Sequence, residues 1–251
     1  MDNSTIEQAA KIITRSKLTL ALTGAGISVE SGIPDFRSPK GLWSVYDPAE
    51  YATITAFNES PEKVWEMARE MTKVIDQAEP NSAHTGLAEL ERMGYLHHII
   101  TQNVDNLHQA AGSKNVIEYH GNISTLTCLR CGKKFKRSDL KNEFPPRCVC
   151  RTKQILKPDV IFFGEAIPYE EMNKSFQLAS QAQALIVAGT SAVVSPANTI
   201  PSIAKQNGAK ILEINKENTY LTSTITDVFL QGDAGRIMNG IVEAVKIERS
   251  L

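Results

Sequence analysis

The stretch Leu18-Thr19-Leu20-Ala21-Leu22-Thr23-Gly24-Ala25-Gly26 decides the fold, because a short apolar run passes directly into a glycine turn. This pattern predicts a buried strand followed by a tight loop. Glycines in such a loop let backbone N–H groups approach a pyrophosphate. The dinucleotide fingerprint G-x-G-x-x-G needs a third glycine at position 29, where this chain has Val29. Taken alone, the loop therefore fits either a nucleotide site or a plain tight turn.

Further strands and helices alternate along the chain on both sides of this loop. Their alternation predicts an α/β fold, a parallel sheet with helices on both faces, whose ligands bind at the carboxyl ends of the strands. The predicted strands are Leu18–Leu22, Leu96–Thr101, Ala184–Ala188, Lys210–Ile214 and Val228–Leu230, and the predicted helices span 4–16, 61–78, 82–93, 195–207 and 234–247.

Composition excludes several classes of protein. The chain has 251 residues, of which 42% are hydrophobic, and its formal net charge is −1, so a disordered chain and a uniformly basic nucleic-acid binder are excluded. The length suggests one to two domains. Neither a signal peptide nor an apolar run of about 20 residues is visible, so we expect a cytoplasmic protein that does not enter a membrane.

The four cysteines form two close pairs, Cys128-x2-Cys131 and Cys148-x-Cys150. Zinc prefers four tetrahedral thiolates, which two such pairs can supply, and a site closed by four protein ligands is structural. The C-x-C spacing of the second pair departs from the commoner C-x2-C. A disulfide pair or four unrelated buried thiols are the alternatives, but a reduced compartment favours zinc.

The cysteine segment is also strongly basic. Residues 128–157 carry ten Lys or Arg and two acidic residues, so this segment has a charge of +8 and the rest of the chain −9. Only two aromatic residues, Phe135 and Phe144, interleave with these charges, which disfavours nucleic acid as the main partner. A solvated face or a docking surface for acidic proteins is the preferred interpretation.

Polar clusters occur where loops should end the strands. They are Ser31-Gly32-Ile33-Pro34-Asp35-Phe36-Arg37, Gln102-Asn103-Val104-Asp105, His120-Gly121 and Gly189-Thr190-Ser191. Each one alone is typical of a loop that caps a helix. Together with the glycine loop and the cysteine pairs, in this order, they resemble the sirtuin (Sir2) family of NAD-dependent protein deacylases, of the bacterial and archaeal type. The resemblance covers roughly residues 5–245.

The resemblance implies a Rossmann-like large domain with an inserted smaller module that is helical and carries a four-cysteine zinc site. The corresponding boundaries are residues 1–39, 82–123 and 156–251 for the large NAD-binding domain, 40–81 for a cofactor loop and helical module, and 124–155 for the zinc module. A monomer is expected.

The resemblance also implies an NAD site between these parts. NAD would be consumed as a co-substrate, and Val29 together with the lack of an evident ribose-binding acid argues against a hydride-transferring dehydrogenase. The implied NAD contacts are Gly24, Ala25, Gly26, Ser28, Asp35, Phe36, Arg37, Gln102, Val104, Gly189, Thr190, Ser191, Asn215, Lys216, Glu217, Asp233 and Ala234.

Catalysis is assigned by the same resemblance to His120, with Asn103 and Asp105. The acyl oxygen of an acyl-lysine attacks C1′ of the nicotinamide ribose, nicotinamide leaves, and His120 deprotonates a ribose hydroxyl. Water then releases lysine and O-acyl-ADP-ribose. An ordinary histidine pKa near 6.5 suits a base at neutral pH. We expect the remaining histidines to be structural: His84, His97 and His98 in the fold or on the surface, and His108 near the Asn103 loop.

The implied substrate is an acetylated lysine in an extended protein segment, bound as an added strand. Its implied contacts are Ile161, Phe163, Gly164, Glu165 and Val193, although residues 160–163 also fit a plain core strand. Relatives that prefer succinyl-lysine carry a Tyr and an Arg where this chain has Ala68 and Met71, and Arg69 should face elsewhere on the helix. Deacetylation is therefore expected, with longer apolar acyl groups possible, and mono-ADP-ribosylation is the nearest alternative.

Overall fold

The computed structural model describes residues 3–140 and 144–250, and its centre is a parallel sheet with the strand order β3-β2-β1-β7-β8-β9. The strands are β1 Thr19–Thr23, β2 His98–Thr101, β3 Val116–Glu118, β4 Gly121–Thr127, β5 Lys134–Lys136, β6 Lys157–Val160, β7 Ala184–Ala188, β8 Lys210–Asn215 and β9 Val228–Gln231. The helices are α1 Asn3–Arg15, α2 Pro48–Tyr51, α3 Ile54–Glu59, α4 Pro61–Gln77, α5 Ser82–Arg92, α6 Leu107–Ala110, α7 Tyr169–Gln181, α8 Thr199–Gln206, α9 Tyr220–Thr224 and α10 Ala234–Ser250.

Two apolar layers cover this sheet. All residues of β1 and β7 are buried, as expected for central parallel strands. On one face α1, α5 and α10 pack around Ile13, Leu87 and Ile237, and on the other α7 and α8 pack around Ala179 and Ile200. The strand order reverses between β1 and β7. The loops that follow these two strands therefore flank the crevice in which doubly wound sheets bind their ligands.

The predicted elements are confirmed with shifted ends, except at the helix predicted for residues 195–207. That helix begins only at Thr199, because Ser195–Asn198 form hydrogen-bonded turns that include the contact from Thr199 N to the Pro196 carbonyl. The strand β3 and the helix α7 were not predicted. Helix α7 fully buries only Ser175 and Ala179, while its larger apolar residues Met172 and Phe176 pack partly exposed against the core, so its apolar stripe is short.

A smaller antiparallel sheet, in the order β5-β4-β6, carries the cysteine segment. Its core is shared with α3 and α4: Phe57 and Trp65 pack with Leu126, Cys128 and Leu156. The Trp65 indole donates a hydrogen bond of 2.8 Å to the Leu156 carbonyl. Strand β6 belongs to this sheet, although the boundaries inferred from the sequence assign residues from 156 onward to the large domain.

Part of the predicted basic segment, Lys141 and Glu143, lies outside the described residues. None of the helices in the described part of the chain has the length and hydropathy that crossing a membrane requires.

Candidate active site

The loop after β1 and the loop after β7 touch through their glycines. Gly26 N donates to the Gly189 carbonyl at 2.8 Å, and a Cβ on Gly26 would lie 2.8 Å from the Gly189 Cα. Gly189 has a φ of +62°, and a side chain there would strike Ile27 N. Any larger residue would force these loops apart. The chain after Gly24 continues as a short 3-10 helix, Ala25–Ser31, at the mouth of the crevice.

Three of the predicted site residues share one buried hydrogen-bond network. The Ser28 hydroxyl donates to the Asp105 carboxylate at 2.7 Å, and the Asn103 amide donates to the Ser28 Oγ at 3.1 Å and to the Gly24 carbonyl at 3.2 Å. Asp105 also accepts from Leu107 N at 2.9 Å, which ties it to the start of α6. The network joins the loops after β1 and β2 and fixes the side chains that line the crevice.

Two further histidines lie under this network. His84 accepts from Asn81 N through Nδ1, so its Nε2 carries the proton that faces Ser28 Oγ at 3.4 Å. His108 Nε2 lies 2.9 Å from the Thr23 hydroxyl, and the two imidazole rings are 4.9 Å apart. Burial lowers the pKa of His84 to about 4 and that of His108 to about 3, so both are neutral at physiological pH.

His84 is buried inside the fold, which agrees with the expectation of a structural residue, but its contact with Ser28 was not foreseen. Ser28 and His84 are separated by 56 residues in the chain, and nothing in the local pattern around His84 distinguishes it from a helix-capping residue. The position of His108 near the Asn103 loop agrees with the expectation.

His120 is held in one tautomer by the backbone. Its Nδ1 lies 3.1 Å from the Gln102 carbonyl, and since a carbonyl can only accept, Nδ1 carries the proton and Nε2 is left as a base. Burial lowers the pKa of His120, and the bond to Gln102 opposes this in part. The His120 carbonyl accepts from Ile161 N at 2.9 Å, so the histidine is joined directly to the segment expected to bind the acyl peptide.

Residues predicted for the adenosine half of NAD gather at the ends of β7, β8 and β9. The Asn215 amide donates to the Thr190 carbonyl at 3.0 Å, and the Gln102 amide donates to the Thr190 hydroxyl at 3.1 Å. Lys216 and Asp233 form an exposed ion pair of 2.9 Å. Ser191 and Glu217 are exposed beside them, and Ala234 is buried at the start of α10. These residues are brought together although they lie far apart in the chain.

The loop between Ile33 and Leu42 is organised by Asp35. Its carboxylate accepts from the backbone N–H groups of Arg37 at 3.0 Å and Ser38 at 2.8 Å, which leaves the Arg37 side chain exposed. The Phe36 ring packs on Trp43 with 5.1 Å between centroids, and Trp43 lies 6.3 Å from the Phe163 ring. Trp43 thus connects this loop to the predicted peptide segment, a contact that the sequence motif did not reveal.

The predicted peptide segment leaves β6 and crosses toward α3. Phe163 N donates to the Ala52 carbonyl at 2.8 Å, and its carbonyl accepts from Ile54 N at 3.0 Å. The side chains of Phe163 and Val193 are 43% and 54% exposed, so both present apolar surface. The strand ends at Val160, so residues 161–163 are not the core strand that was the alternative.

Glu165 lies in the same segment but faces inward. Its carboxylate is 2.9 Å from the Lys157 ammonium and accepts from Phe162 N at 2.8 Å. The buried Lys157 also donates to the Pro158 and Val160 carbonyls and lies over the Phe162 ring. This Lys157 clasp, formed by Lys157 with Glu165 and the backbone of 158–162, shapes the segment. In the structure the Glu165 carboxylate is thereby engaged within the protein, whereas a peptide contact was expected.

The four cysteine sulfurs all lie within 4.8 Å of one another. A tetrahedral zinc with Zn–S bonds of about 2.3 Å places its sulfurs about 3.8 Å apart, and Cys131 and Cys148 Sγ are separated by 3.7 Å. All four thiols are free of disulfides. The donor set and its spacing therefore fit one structural zinc ion with no open coordination position, and the C-x-C spacing is no obstacle.

Comparison with known proteins agrees with this geometry. Residues 24–196 match the model of the Sir2 family. An NAD-dependent protein deacylase of Pyrococcus furiosus is 46% identical over 245 residues, which cover 95% of this chain and 97% of that protein.

Two solved structures show the same fold with relevant ligands. A Sir2 homologue in complex with ADP-ribose has a TM-score of 0.93 at 44% identity, covering 100% of this chain and 99% of that one. A Sir2 protein with a deacetylated p53 peptide and 3′-O-acetyl-ADP-ribose has a TM-score of 0.89 at 36% identity, covering 95% of this chain and 97% of that one.

Proposed function

This chain belongs to the Sir2 family and is an NAD-dependent protein deacylase, and we propose that it deacetylates lysines of extended protein segments with His120 as the base. The observation that carries the assignment of the base is the bond between His120 Nδ1 and the Gln102 carbonyl. This bond keeps the proton of the neutral ring on Nδ1. Because burial lowers the pKa of the imidazole, the ring is neutral at neutral pH and Nε2 is unprotonated.

The net reaction transfers the acetyl group from lysine to the ADP-ribose part of NAD and releases nicotinamide and O-acetyl-ADP-ribose. NAD supplies the electrophilic ribose carbon, so the protein needs no nucleophilic side chain. His120 Nε2 takes the proton of a ribose hydroxyl as that oxygen adds to the carbon of the acyl group. Its Nδ1–H stays bonded to the Gln102 carbonyl, which orients the ring throughout.

The buried network positions the nicotinamide end of the co-substrate. Ser28 and Leu107 N satisfy the Asp105 carboxylate, and Ser28 and Gly24 satisfy the Asn103 amide. Because these partners are internal, Asp105 and Asn103 are preorganised before NAD enters, and little side-chain entropy is lost on binding. The loops after β7 and β8, with Thr190 and Asn215, are assigned to the adenosine half.

The acyl pocket is proposed to be apolar. Met71, Val104 and Val160 pack around the cluster of Ile33, Leu107 and Ile123. The Arg69 guanidinium lies 4.7 Å from the Phe144 ring centroid, directed toward the cysteine segment, as its position on the helix predicted. A carboxylated acyl group would thus meet no arginine from α4 next to Met71.

Longer apolar acyl groups are a second candidate. A cavity of about 180 Å³ is lined by Leu42, Val45, Met71 and Val74, with Glu70 and Lys40 also on its wall. It adjoins the apolar cluster through Met71 and Val74. A fatty acyl chain entering the pocket could extend into this space.

Histidine variants test the site. His120→Ala should reduce kcat on an acetylated peptide by about 10²–10⁴-fold, which is the usual contribution of a general base. His98→Ala is the matched control, because His98 lies at the start of β2, whereas the site lies at the carboxyl ends of the strands. Equal activity of both variants would remove His120 from the mechanism.

Acyl preference is measured on one peptide sequence that carries acetyl-, myristoyl- or succinyl-lysine. We expect kcat/KM for the acetyl and myristoyl forms to exceed that for the succinyl form by at least 10-fold, since an unpaired carboxylate is costly to bury. Faster succinyl turnover would refute the apolar pocket.

A further inference from the structure

Six exposed cations on the cysteine segment lack carboxylate partners among the described residues. They are Arg130, Lys133, Lys134, Lys136, Arg151 and Lys153, here named the basic tip. The other basic side chains that the structure describes in this segment are paired: Arg137 with Asp76, Arg147 with Glu62 and Lys157 with Glu165. The excess positive charge of the sequence is therefore concentrated in one part of the module.

The tertiary structure brings the tip together from two separate turns and one strand. Since the four sulfurs lie within 4.8 Å of one another, the turn that holds Arg130 meets the turn that holds Arg151 and Lys153. Lys134 and Lys136 extend from β5, an edge strand. Edge lysines discourage aggregation, but this role does not account for the cations of the two turns. Leu129 and Val149, 50% and 77% exposed, add apolar surface between them.

The basic tip lies at the far end of the strand that starts beside the catalytic base. Strand β4 begins at Gly121, next to His120, and ends at Thr127, next to Cys128. Seven extended residues place the tip on the order of 25 Å from His120. An extended substrate covers the same distance in about six to nine residues. Strand β6 pairs with β4 and leads into the segment assigned to the acyl peptide.

From this placement we propose that the basic tip binds an acidic stretch of the protein substrate, about six to nine residues from the acyl-lysine. This inference rests on the proposed function, because it extends the same substrate past the acyl site. The tip recognises carboxylates by charge complementarity, and attachment to a bound acyl-lysine raises the local concentration of the acidic stretch.

An acidic peptide is favoured over nucleic acid by the side chains around the tip. Phe135 is half-buried beneath Lys133, and Phe144 is 40% exposed with the Arg69 guanidinium against its ring, so the described part of the tip offers no row of free rings on which successive bases could stack. Four of the six cations are lysines, which act as point charges and do not need the bidentate geometry of arginine.

The test compares acetyl-lysine peptides that carry four glutamates or four glutamines six to nine residues from the acetyl-lysine, on either side. With 50 mM NaCl, kcat/KM for one glutamate version should exceed that of its glutamine version about fivefold, and 500 mM NaCl should abolish the difference. The KM for NAD should not change.

A variant combining Lys134→Gln, Lys136→Gln and Lys153→Gln should remove the preference. Its matched control combines Lys17→Gln, Lys114→Gln and Lys174→Gln, which lowers the net charge equally at exposed lysines outside the module. The control should keep both the preference and its dependence on salt. A preference retained by the first variant, or lost by the control, overturns the proposal.

Fluorescence anisotropy with non-acetylated versions of the peptides measures binding without catalysis. This readout separates failure of the tip from failure of the proposed function. If the proposed function is wrong, the acetylated glutamine peptide is not deacetylated in the kinetic test. Tighter binding of the glutamate version by the wild type and by the control variant, but not by the basic-tip variant, supports the proposal. Equal binding of both versions overturns it, as does tighter binding of a 20-base-pair DNA duplex that the lysine variant loses.

Discussion

At the residue scale, the site depends on histidines in different environments. His120 is partly buried and has one nitrogen satisfied by a carbonyl, which leaves the other nitrogen for chemistry. His84 and His108 are fully enclosed, with one nitrogen of His84 directed toward the Ser28 hydroxyl in the loop after β1 and one nitrogen of His108 toward the Thr23 hydroxyl at the end of β1. In the proposed mechanism His120 exchanges a proton, whereas His84 and His108 support the network around Asp105.

The pH dependence of catalysis follows from His120. Burial lowers its pKa below 6.5, and the neutral imidazole is the active form in the proposed mechanism. We expect kcat/KM to fall only at acidic pH, with its half-maximal point below pH 6.5, and to be level from there through pH 8. Steady-state kinetics between pH 5.5 and 8.5, with folding checked by circular dichroism, measures this. A half-maximal point at pH 7 or above would contradict the assignment.

The pH dependence of stability follows from His108. Its folded pKa of about 3 lies below the 6.5 of an exposed histidine, so the unfolded chain binds a proton first as the pH falls. The contribution of a neutral His108 to stability is full above pH 6.5 and is lost below it, by up to about 1.4 kcal/mol per pH unit. The stability advantage of the wild type over His108→Gln should shrink at this rate between pH 6 and 5 in urea unfolding. A constant difference would show that His108 is not buried as a neutral base.

At the element scale, the two sheets meet at the crevice. The loops after β1, β2 and β7 form one wall of the crevice, and the segment after β6 reaches it from the smaller sheet. The contact between His120 and Ile161 joins these units. Elements outside the main sheet, such as β6, are therefore proposed to set the geometry of peptide binding.

The Lys157 clasp should act on peptide binding alone. Lys157→Met keeps the aliphatic stem but removes the ammonium that holds Glu165 and two carbonyls. We expect the KM for the acetylated peptide to rise about 10-fold, with the KM for NAD unchanged. Lys17→Met is the control, at an exposed lysine outside the cysteine segment. An equal rise in both KM values, or a rise only for NAD, would mean that the clasp does not position the peptide segment.

The zinc site should maintain the packing between the cysteine segment and α4. Trp65 packs with Cys128 and Cys148, so chelation of zinc should expose its indole. In a Trp43→Phe background, Trp65 is the remaining tryptophan, and its emission should shift to longer wavelength with a chelator and recover when zinc is added. An unchanged spectrum after verified zinc removal would show that the module is stable without metal.

At the scale of the whole molecule, the sequence predicted the sheet and the site motifs better than the contacts between them. Runs such as Ala184–Ala188 are recognisable because both faces of a central parallel strand are apolar. The inward turn of Glu165 and the position of Trp43 depend on partners distant in the chain, which no local pattern encodes. The net charge of −1 likewise gave no sign of the basic tip until residues 128–157 were considered separately.

The central claim is tested most directly by mass spectrometry of one reaction containing the protein, NAD and an acetylated peptide. The account predicts deacetylated peptide, nicotinamide and O-acetyl-ADP-ribose in equal amounts, all dependent on NAD and lost in His120→Ala. Deacetylation without NAD, or ADP-ribose attached to protein in place of O-acetyl-ADP-ribose, would contradict it.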